Sequence, residues 1–498
     1  MQILLGDTSV MVVTNVLLVY PPLTIPQYMQ KRCMPPLGLA YIASALEDDG
    51  VDVDIIDCCV EGYETESVAF GLLTYGLDSS AFRNRISGSS PDVVGFSVPF
   101  SSSVKIVCSM ASVVKGIYPN SVVVVGGLHP TLYPEDIFEL AGDSVDWVIR
   151  GEGEHRFVEF VGLLKTGQLS KRFDGLVGRS GSVETYSGKR NRIIDLDQLG
   201  YPAYHLLPME KYFNINVPFS PVPKGDRVLP ILASRGCPIG CSFCASTNMW
   251  SSHIVRSASN VIDEVKQWVD VYGIDEIQFA DDNLTLNKKH FRELVSDIGE
   301  LGIFWCTPNG VMINSLCPDL ISEMADSGMY QITLSVDSGS ILTLRDLHHK
   351  PVDLDRVPSL IEAADKAGVF THGTLVVGMP GESIESIKDS LNFVLSEFHF
   401  TSIAAFVASP IPGSMLYQEV LDKGYIRSKH DAWDTDTTRM GFNSDIDPDD
   451  LVDLIMGFQD AFAKKARQRN PEFYDRKYDK ISSSGLMDKA NNYGGRLT

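Results

Sequence analysis

Along the first third of the chain, short apolar runs at residues 16–20, 51–57, 92–98, 121–127 and 146–150 alternate with stretches, 37–46 and 104–117, whose apolar residues recur at helical spacing. Continuous apolar runs separated by amphipathic helices are what a parallel sheet covered on both faces demands. The pattern predicts a doubly wound α/β domain over residues 14–165, with its ligand at the carboxyl ends of the strands. From residue 229 a second series begins, with runs at 229–233, 276–280, 305–312, 331–336, 371–377 and 403–408 and helical stretches such as 259–272, 289–301 and 383–397 between them. This series predicts a partial β/α barrel over residues 226–428, which puts functional residues on the loops that follow the strands. Residues 166–225 carry polar β-like pieces around 176–186, then 196–207 and the proline-bearing 218–224, and read as a linker segment. Beyond residue 428 the pattern thins to one amphipathic helix at 449–465. Leu451, Leu454, Ile455, Phe458 and Phe462 share one of its faces, and Lys464, Lys465 and Arg467 lie near its negative end. Residues 429–498 are therefore expected to form a small helical region with a Gly-, Asn- and Ser-rich tail that lacks fixed structure.

Composition narrows the class. A chain of 498 residues exceeds one ordinary core and calls for two or three domains. With 44% hydrophobic and 21% charged residues it is globular rather than disordered or fibrous. Its 42 Lys and Arg against 64 Asp and Glu leave a net charge of −22, which repels nucleic acid and anionic membrane surfaces. No stretch reaches the roughly 18 apolar residues that span a bilayer. The apolar start at 11–20 lacks a basic region and a small-residue cleavage site, so it reads as a first core strand rather than a signal peptide. Nine cysteines, an odd number, argue against a disulfide framework and for a reducing compartment, the cytoplasm.

Three of those cysteines are crowded. The run at 229–233 is followed by Ser234-Arg-Gly-Cys237-Pro-Ile-Gly-Cys241-Ser-Phe-Cys244, a C-x3-C-x2-C spacing in a loop with two glycines and a proline. On this composition the spacing arises by chance with a frequency of about 0.003. Thiolates are the ligands of iron-sulfur clusters, and a cubane held by only three keeps one iron open for a small molecule. Zinc is the alternative, but structural zinc is closed by four ligands, and the nearest further histidine or cysteine is His253. The loop, including Phe243 just before the last cysteine, resembles the signature of the radical S-adenosylmethionine (SAM) superfamily. That resemblance implies a [4Fe-4S] cluster on Cys237, Cys241 and Cys244 with SAM at the fourth iron. One electron then cleaves SAM to methionine and a deoxyadenosyl radical.

Further motifs follow the later strands in the order this superfamily uses. Phe279-Ala-Asp281-Asp282-Asn283 looks like the stretch that receives the SAM amino group, although two aspartates at a strand end also serve as a helix cap. Ser335-Val-Asp337-Ser338-Gly339-Ser340 is similar to the turn near the SAM ribose and carboxylate, with Asp337 one methylene shorter than the usual Glu. Gly378-Met-Pro380-Gly381-Glu382 is similar to the loop on the adenine side, and taken alone reads as a tight turn before an acidic helix start. Ser409-Pro-Ile-Pro412-Gly413-Ser414 completes the set. The implied fold is a (β/α)6 TIM-like radical SAM barrel.

The first domain, flavodoxin-like in pattern, resembles the cobalamin-binding domain fused ahead of certain radical SAM enzymes. The matching pieces are Tyr20-Pro21-Pro22, Pro35-Pro36-Leu37-Gly38-Leu39, Gly126-Gly127-Leu128-His129-Pro130-Thr131 and Arg150-Gly151-Glu152-Gly153-Glu154. Gly126 and Gly127 at a strand end allow close backbone approach to a large flat ligand. Ser97, Ser101, Ser102 and Ser103 offer neutral hydrogen bonds to corrin amides, or alternatively serve as turn and cap residues. Where many cobalamin proteins carry a cobalt-ligating histidine, this chain reads Asp57-Cys58-Cys59-Val60-Glu61-Gly62. Cobalt is therefore expected not to be histidine-ligated; Cys59 is read as a small buried residue, with a cobalt ligand as the alternative, and His129 as a packing or outer-shell residue.

By resemblance to the class B radical SAM methyltransferases, one SAM methylates cobalamin and a second generates the radical that activates an unreactive carbon. The expected cofactors are a [4Fe-4S] cluster, SAM and cobalamin. The expected partners are a small-molecule substrate and an external one-electron reductant of flavodoxin or ferredoxin type, with no nucleic acid and no membrane span. Three other readings stay open: a non-methylating cyclisation, rearrangement or oxidation on the same cofactors, a radical SAM enzyme whose first domain has lost cobalamin, and a cobalamin or redox sensor. No motif marks the substrate or the oligomeric state.

Overall fold

The computed structural model describes residues 11, 13–27, 29–169, 173–179, 192–220, 222–250, 252–426, 433 and 446–476. The chain divides into two compact units, Met1–Ile25 with Cys33–Ile215, and Pro26–Arg32 with Asn216–Thr498.

Among the described residues the first unit has nine strands: β1 (Asn15–Tyr20), β2 (Leu23–Pro26), β3 (Asp52–Asp57), β4 (Glu66–Ala69), β5 (Leu72–Tyr75), β6 (Val93–Val98), β7 (Val122–Gly127), β8 (Trp147–Ile149) and β9 (Leu176–Gly178). Its main sheet runs β3-β1-β6-β7-β8-β9. All pairs are parallel except β8 with β9. Leu17, Leu18, Val93, Val94, Val123 and Val124 are buried, as expected of strands covered on both faces by helices such as Leu37–Asp48, Val104–Ile117 and Gly153–Thr166. Asp92 fixes the register of the central pair by accepting the N–H groups of Thr14 and Asn15 at 2.7 and 3.1 Å. A small second sheet, β2-β5-β4, has no counterpart in the apolar pattern, because every residue of β4 is exposed. Of the β-like stretch expected at 176–186, β9 takes up the start, and 180–186 lie outside the described residues. Residues 196–206 form two 3-10 turns and Met209–Ile215 a helix. These belong to the first unit: Ala203 donates to the Ala40 carbonyl at 3.0 Å, and the Tyr212 hydroxyl donates to Asp57 at 2.5 Å.

The second unit adds β10 (Val228–Ile231), β11 (Ser234–Arg235), β12 (Ile254–Val255), β13 (Glu276–Phe279), β14 (Phe304–Val311), β15 (Met329–Asp337), β16 (Phe370–Val377) and β17 (Ser402–Val407). Six of them form one parallel sheet in sequence order, β10-β13-β14-β15-β16-β17, the ladder of a partial barrel. The covering helices carry the capping chemistry that their sequences provide. Ser257 accepts from Asn260 N–H and Asn287 from His290 N–H, and Gly273 ends the helix Ala258–Tyr272 in the left-handed region at φ 63°. At the amino-terminal rim Glu276 accepts the N–H groups of Lys224 and Gly225 at 2.7 Å each, together with the Tyr330 hydroxyl. The helix expected at 449–465 spans Pro448–Arg469 and buries Leu451, Ile455, Phe458, Phe462 and Ala466 toward β17 and the helix Ile384–Glu397. The expected tail beyond residue 476 lies outside the described residues. Among the described residues no helix is long and apolar enough to cross a membrane.

Candidate functional site

Cys237, Cys241 and Cys244 sit on the loop that leaves β11, and all three are free and partly exposed. Gly236 and Gly240, at φ 91° and 76°, supply the turns that side chains resist. One end of the loop is pinned by the β11–β12 ladder, and the rest is fastened from both sides. From the end of β13, Asp281 accepts the Ala233 N–H at 3.1 Å and the Ser234 hydroxyl at 2.5 Å. Asp282 accepts the Gly236 N–H at 3.1 Å and the Ser246 hydroxyl at 3.0 Å. From the other side, Ser242 donates its N–H to the His348 carbonyl at 3.0 Å and its hydroxyl to the Leu347 carbonyl. The two aspartates expected to meet SAM thus hold the cysteine loop in place.

Burial pushes the Cys241 thiol up to about 12; Lys350 pulls it back, while Asp337 and the two neighbouring thiols add to the rise. Burial also raises Cys244, against the Ser246 N–H that its sulfur accepts. Thiols so placed ionise readily only beside a strong positive charge, which a metal cluster provides. Among the described residues no three His, Cys, Asp or Glu side chains converge to share one metal ion. A four-iron cluster asks for no such convergence, since each thiolate takes its own iron, and three thiols on one glycine-hinged loop fit that demand.

Beside this loop lies a second constellation. Asp337 ends β15 in the left-handed region at φ 63°, a conformation that Asp tolerates better than most residues. Its carboxylate accepts from the Lys350 ammonium at 2.5 Å, and the ammonium also donates to the Ser335 carbonyl at 3.1 Å. No sequence motif marks Lys350, because the contact exists only once the chain folds back. The turn after Asp337 is tied to the helix Ile384–Glu397: the Ser338 hydroxyl lies 3.1 Å from that of Ser390, which also accepts the Gly339 N–H at 2.7 Å. A Cβ on Gly339 would lie 2.5 Å from the Ser390 carbonyl oxygen, so only glycine fits. In the loop after β16, Gly378 and Gly381 have φ of 81° and 96°, and Pro380 between them is buried. Glu382 closes this loop by accepting the Met379 N–H at 2.8 Å, and burial raises its carboxyl to about 7. Phe243 packs edge-on against His348 with ring centroids 5.3 Å apart. His348 is fully buried, neither of its ring nitrogens has a hydrogen-bond partner among the described residues, and burial pushes its pKa down to about 4.

In the first unit, Ser97 lies within β6 opposite Gly126 of β7. Gly127 has φ 122°, and a Cβ there would stand 2.5 Å from the Val98 carbonyl oxygen. Thr131 links two of the sequence pieces, donating to the Gly127 carbonyl at 2.7 Å and accepting the Gly151 N–H at 2.9 Å. His129 is buried, its Nδ1 3.0 Å from the Ser101 hydroxyl and its Nε2 3.3 Å from an Asp136 carboxylate oxygen. In the turn Ser101–Ser103, the hydroxyls of Ser102 and Ser103 are buried and have no partner among the described residues. Orphaned hydroxyls at strand ends fit a ligand rimmed by amides, as the corrin of cobalamin is. Asp57 caps the short helix Cys58–Glu61 through the N–H groups of Cys59 and Val60. Burial and nearby acidic groups raise the Cys59 thiol, which is 3.4 Å from the Pro21 carbonyl oxygen and makes a poor thiolate ligand.

A B12-binding domain model matches residues 31–161, and a radical SAM superfamily model matches residues 231–394. The cytidylyl-2-hydroxyethylphosphonate methyltransferase of Streptomyces wedmorensis is 33% identical over 497 residues, covering 92% of either chain. An uncharacterized methyltransferase of Pyrococcus horikoshii is 30% identical over 416 residues, 82% of this chain and 83% of that one. Among solved structures, the radical SAM methyltransferase TsrM from Kitasatospora setae, with cobalamin and a [4Fe-4S] cluster bound, superposes with a TM-score of 0.64 at 16% identity. That match covers 82% of this chain and 75% of the other.

Proposed function

Since the chain belongs to the cobalamin-dependent radical SAM methyltransferases, we propose that it methylates an unactivated carbon of a small molecule, with the residues above in the roles that follow. The cluster and SAM supply one-electron chemistry when bound, and cobalamin carries the methyl group. Cys237, Cys241 and Cys244 hold the cluster, and Asp281 and Asp282 keep their loop in the shape that presents all three sulfurs. Lys350, steadied by Asp337, offers an ammonium to the SAM carboxylate. Phe243, Ser338, Gly378, Pro380 and Gly381 form the nucleoside side of that pocket. Ser97, Gly126, Gly127 and His129 belong to the cobalamin cradle. The electron comes from an external flavodoxin- or ferredoxin-type protein, and the enzyme works in the cytoplasm.

The observation that carries this reading is the glycine-hinged loop with three thiols and no fourth, fastened on both sides. Anaerobic protein reconstituted with iron, sulfide and hydroxocobalamin should, given SAM and a strong reductant, yield 5′-deoxyadenosine and S-adenosylhomocysteine and keep its corrin through gel filtration. Cys241→Ala should lose the deoxyadenosine. Deoxyadenosine without S-adenosylhomocysteine or retained corrin would mean a different radical reaction. The substrate search begins with cytidylylated 2-hydroxyethylphosphonate, the compound named by the Streptomyces wedmorensis relative.

A further inference from the structure

His253 is the histidine nearest the cysteine triplet in sequence, yet its ring is engaged elsewhere: Nε2 lies 3.1 Å from the carbonyl oxygen of Asn283. A carbonyl only accepts, so that nitrogen carries a proton and donates it. Asn283 follows Asp281 and Asp282 in the loop after β13 and is 5% exposed. Its side-chain amide lies between two partners. Nδ2 donates to Cys237 Sγ at 3.9 Å, and Oδ1 lies 3.4 Å from the hydroxyl of Thr285, which is fully buried. Thr285 is backed in turn by the Ser315 hydroxyl at 2.5 Å. We propose that Asn283 is a positioning residue of the cluster, donating to the Cys237 sulfur a hydrogen bond that makes the cluster easier to reduce, and that His253 and Thr285 hold its amide there. The proposal rests on the reading of Cys237 as a cluster ligand and adds to it a residue that tunes the cluster.

A sulfur bound to iron has given up its proton and can only accept. The end of the amide turned to Cys237 must therefore be the NH2 end, since a carbonyl oxygen there would set lone pairs against lone pairs. The oxygen end then faces Thr285, which can donate to it while accepting from Ser315. Negative charge on the sulfur strengthens the contact over the one that a neutral thiol makes at 3.9 Å. Reduction spreads an added electron over iron and sulfur, so a donor at the sulfur stabilises the reduced cluster more than the oxidised one. The cysteine positions differ in how they receive such help. The Cys244 sulfur accepts a backbone N–H, that of Ser246 at 3.4 Å, which no change of side chain removes. At Cys237 the donor is itself a side chain, so substitution can take it away and leave the backbone in place. An external reductant must deliver its electron before SAM is cleaved, and a more easily reduced cluster widens the range of donors that can serve.

The test is the reduction potential of the reconstituted cluster in the full-length protein without SAM, with the reduced fraction read by electron paramagnetic resonance. Asn283→Ala should lower the ratio of reduced to oxidised cluster about tenfold at a fixed potential, a shift of about 59 mV to more negative values. Asn283→Asp, which sets a carboxylate against the sulfur, should lower it further. His253→Ala should shift it the same way by less, and should add nothing to Asn283→Ala, because it acts through the amide. Wild-type protein made with asparagine isotopically labelled in its side-chain nitrogen should show a hyperfine coupling between the reduced cluster and the label, and Asn283→Ala should lack it. If Asn283→Ala takes up no cluster, the labelled wild type decides by itself. An unchanged potential in Asn283→Ala, or no coupling to the label in the wild type, would overturn the proposal while leaving the cluster intact. A wild type that assembles no four-iron cluster would overturn both.

Discussion

Lys350 and Asp337 are 10% and 6% exposed in their side chains, and each is the other's main charge partner. A buried pair of this kind adds little net stability but is costly to split, because the survivor keeps its charge without its counter-ion. Lys350→Met should therefore lower unfolding stability by about 3 kcal/mol in a urea titration. Lys366→Ala, which removes the exposed partner of Glu362 one helical turn away, should cost under about 0.5 kcal/mol. Equal losses in the two variants would show that Asp337 finds another partner when Lys350 is removed. The comparison also marks where residue-level reading from sequence stops. The cysteine spacing is local and legible. The pairing of Asp337 with Lys350, and the use of Asp281 and Asp282 to hold the cysteine loop, arise only when distant strands meet.

At the level of elements, the helix Pro448–Arg469 is attached to the loop after β16 by a specific fit. A Cβ on Gly378 would approach the Leu451 side chain to 2.8 Å, so the helix side chain occupies space that the glycine leaves open. Leu451→Ala should cost about 3 kcal/mol through the cavity it leaves. Gly378→Ala should destabilise too, by crowding Leu451 and by straining a residue at φ 81°. The two losses should add to less than their sum in the double variant, since removing the leucine relieves the crowding; strictly additive melting shifts would mean that the helix does not seat on this loop. The helix was legible from its apolar stripe, as were the parallel strands from their continuous apolar runs, because both are buried on the faces that their patterns advertise. The sheet β2-β5-β4 was not, since Glu66–Ala69 is exposed throughout and alternates nothing. The turns at 196–206 and the helix Met209–Ile215 were read as part of a linker for want of periodicity. What attaches them to the first unit are the hydrogen bonds from Ala203 to the Ala40 carbonyl and from Tyr212 to the buried Asp57, which no spacing announces.

Over the whole molecule, buried carboxyls set an uncommon pH dependence. Asp57 in the first unit and Glu382 in the second are both raised to about 7, each chiefly by burial. Groups with folded values above their unfolded ones bind more protons in the native state. Their contribution is fully present below about pH 4 and is lost as pH rises through about 7, at a cost on the order of 4 kcal/mol for each group. The net charge of −22 adds self-repulsion in the same direction. Urea midpoints should therefore fall between pH 5 and pH 8, and Asp57→Asn should flatten part of that decline. A stability that rises across this range would show that Asp57 is ionised in the native protein. The seat of Leu451 against Gly378 has one more consequence. Translation delivers the cysteine loop some two hundred residues before the helix whose Leu451 fills the space beside Gly378. The loop after β16 is therefore synthesised without its backing and acquires it only when nearly the whole chain has been made.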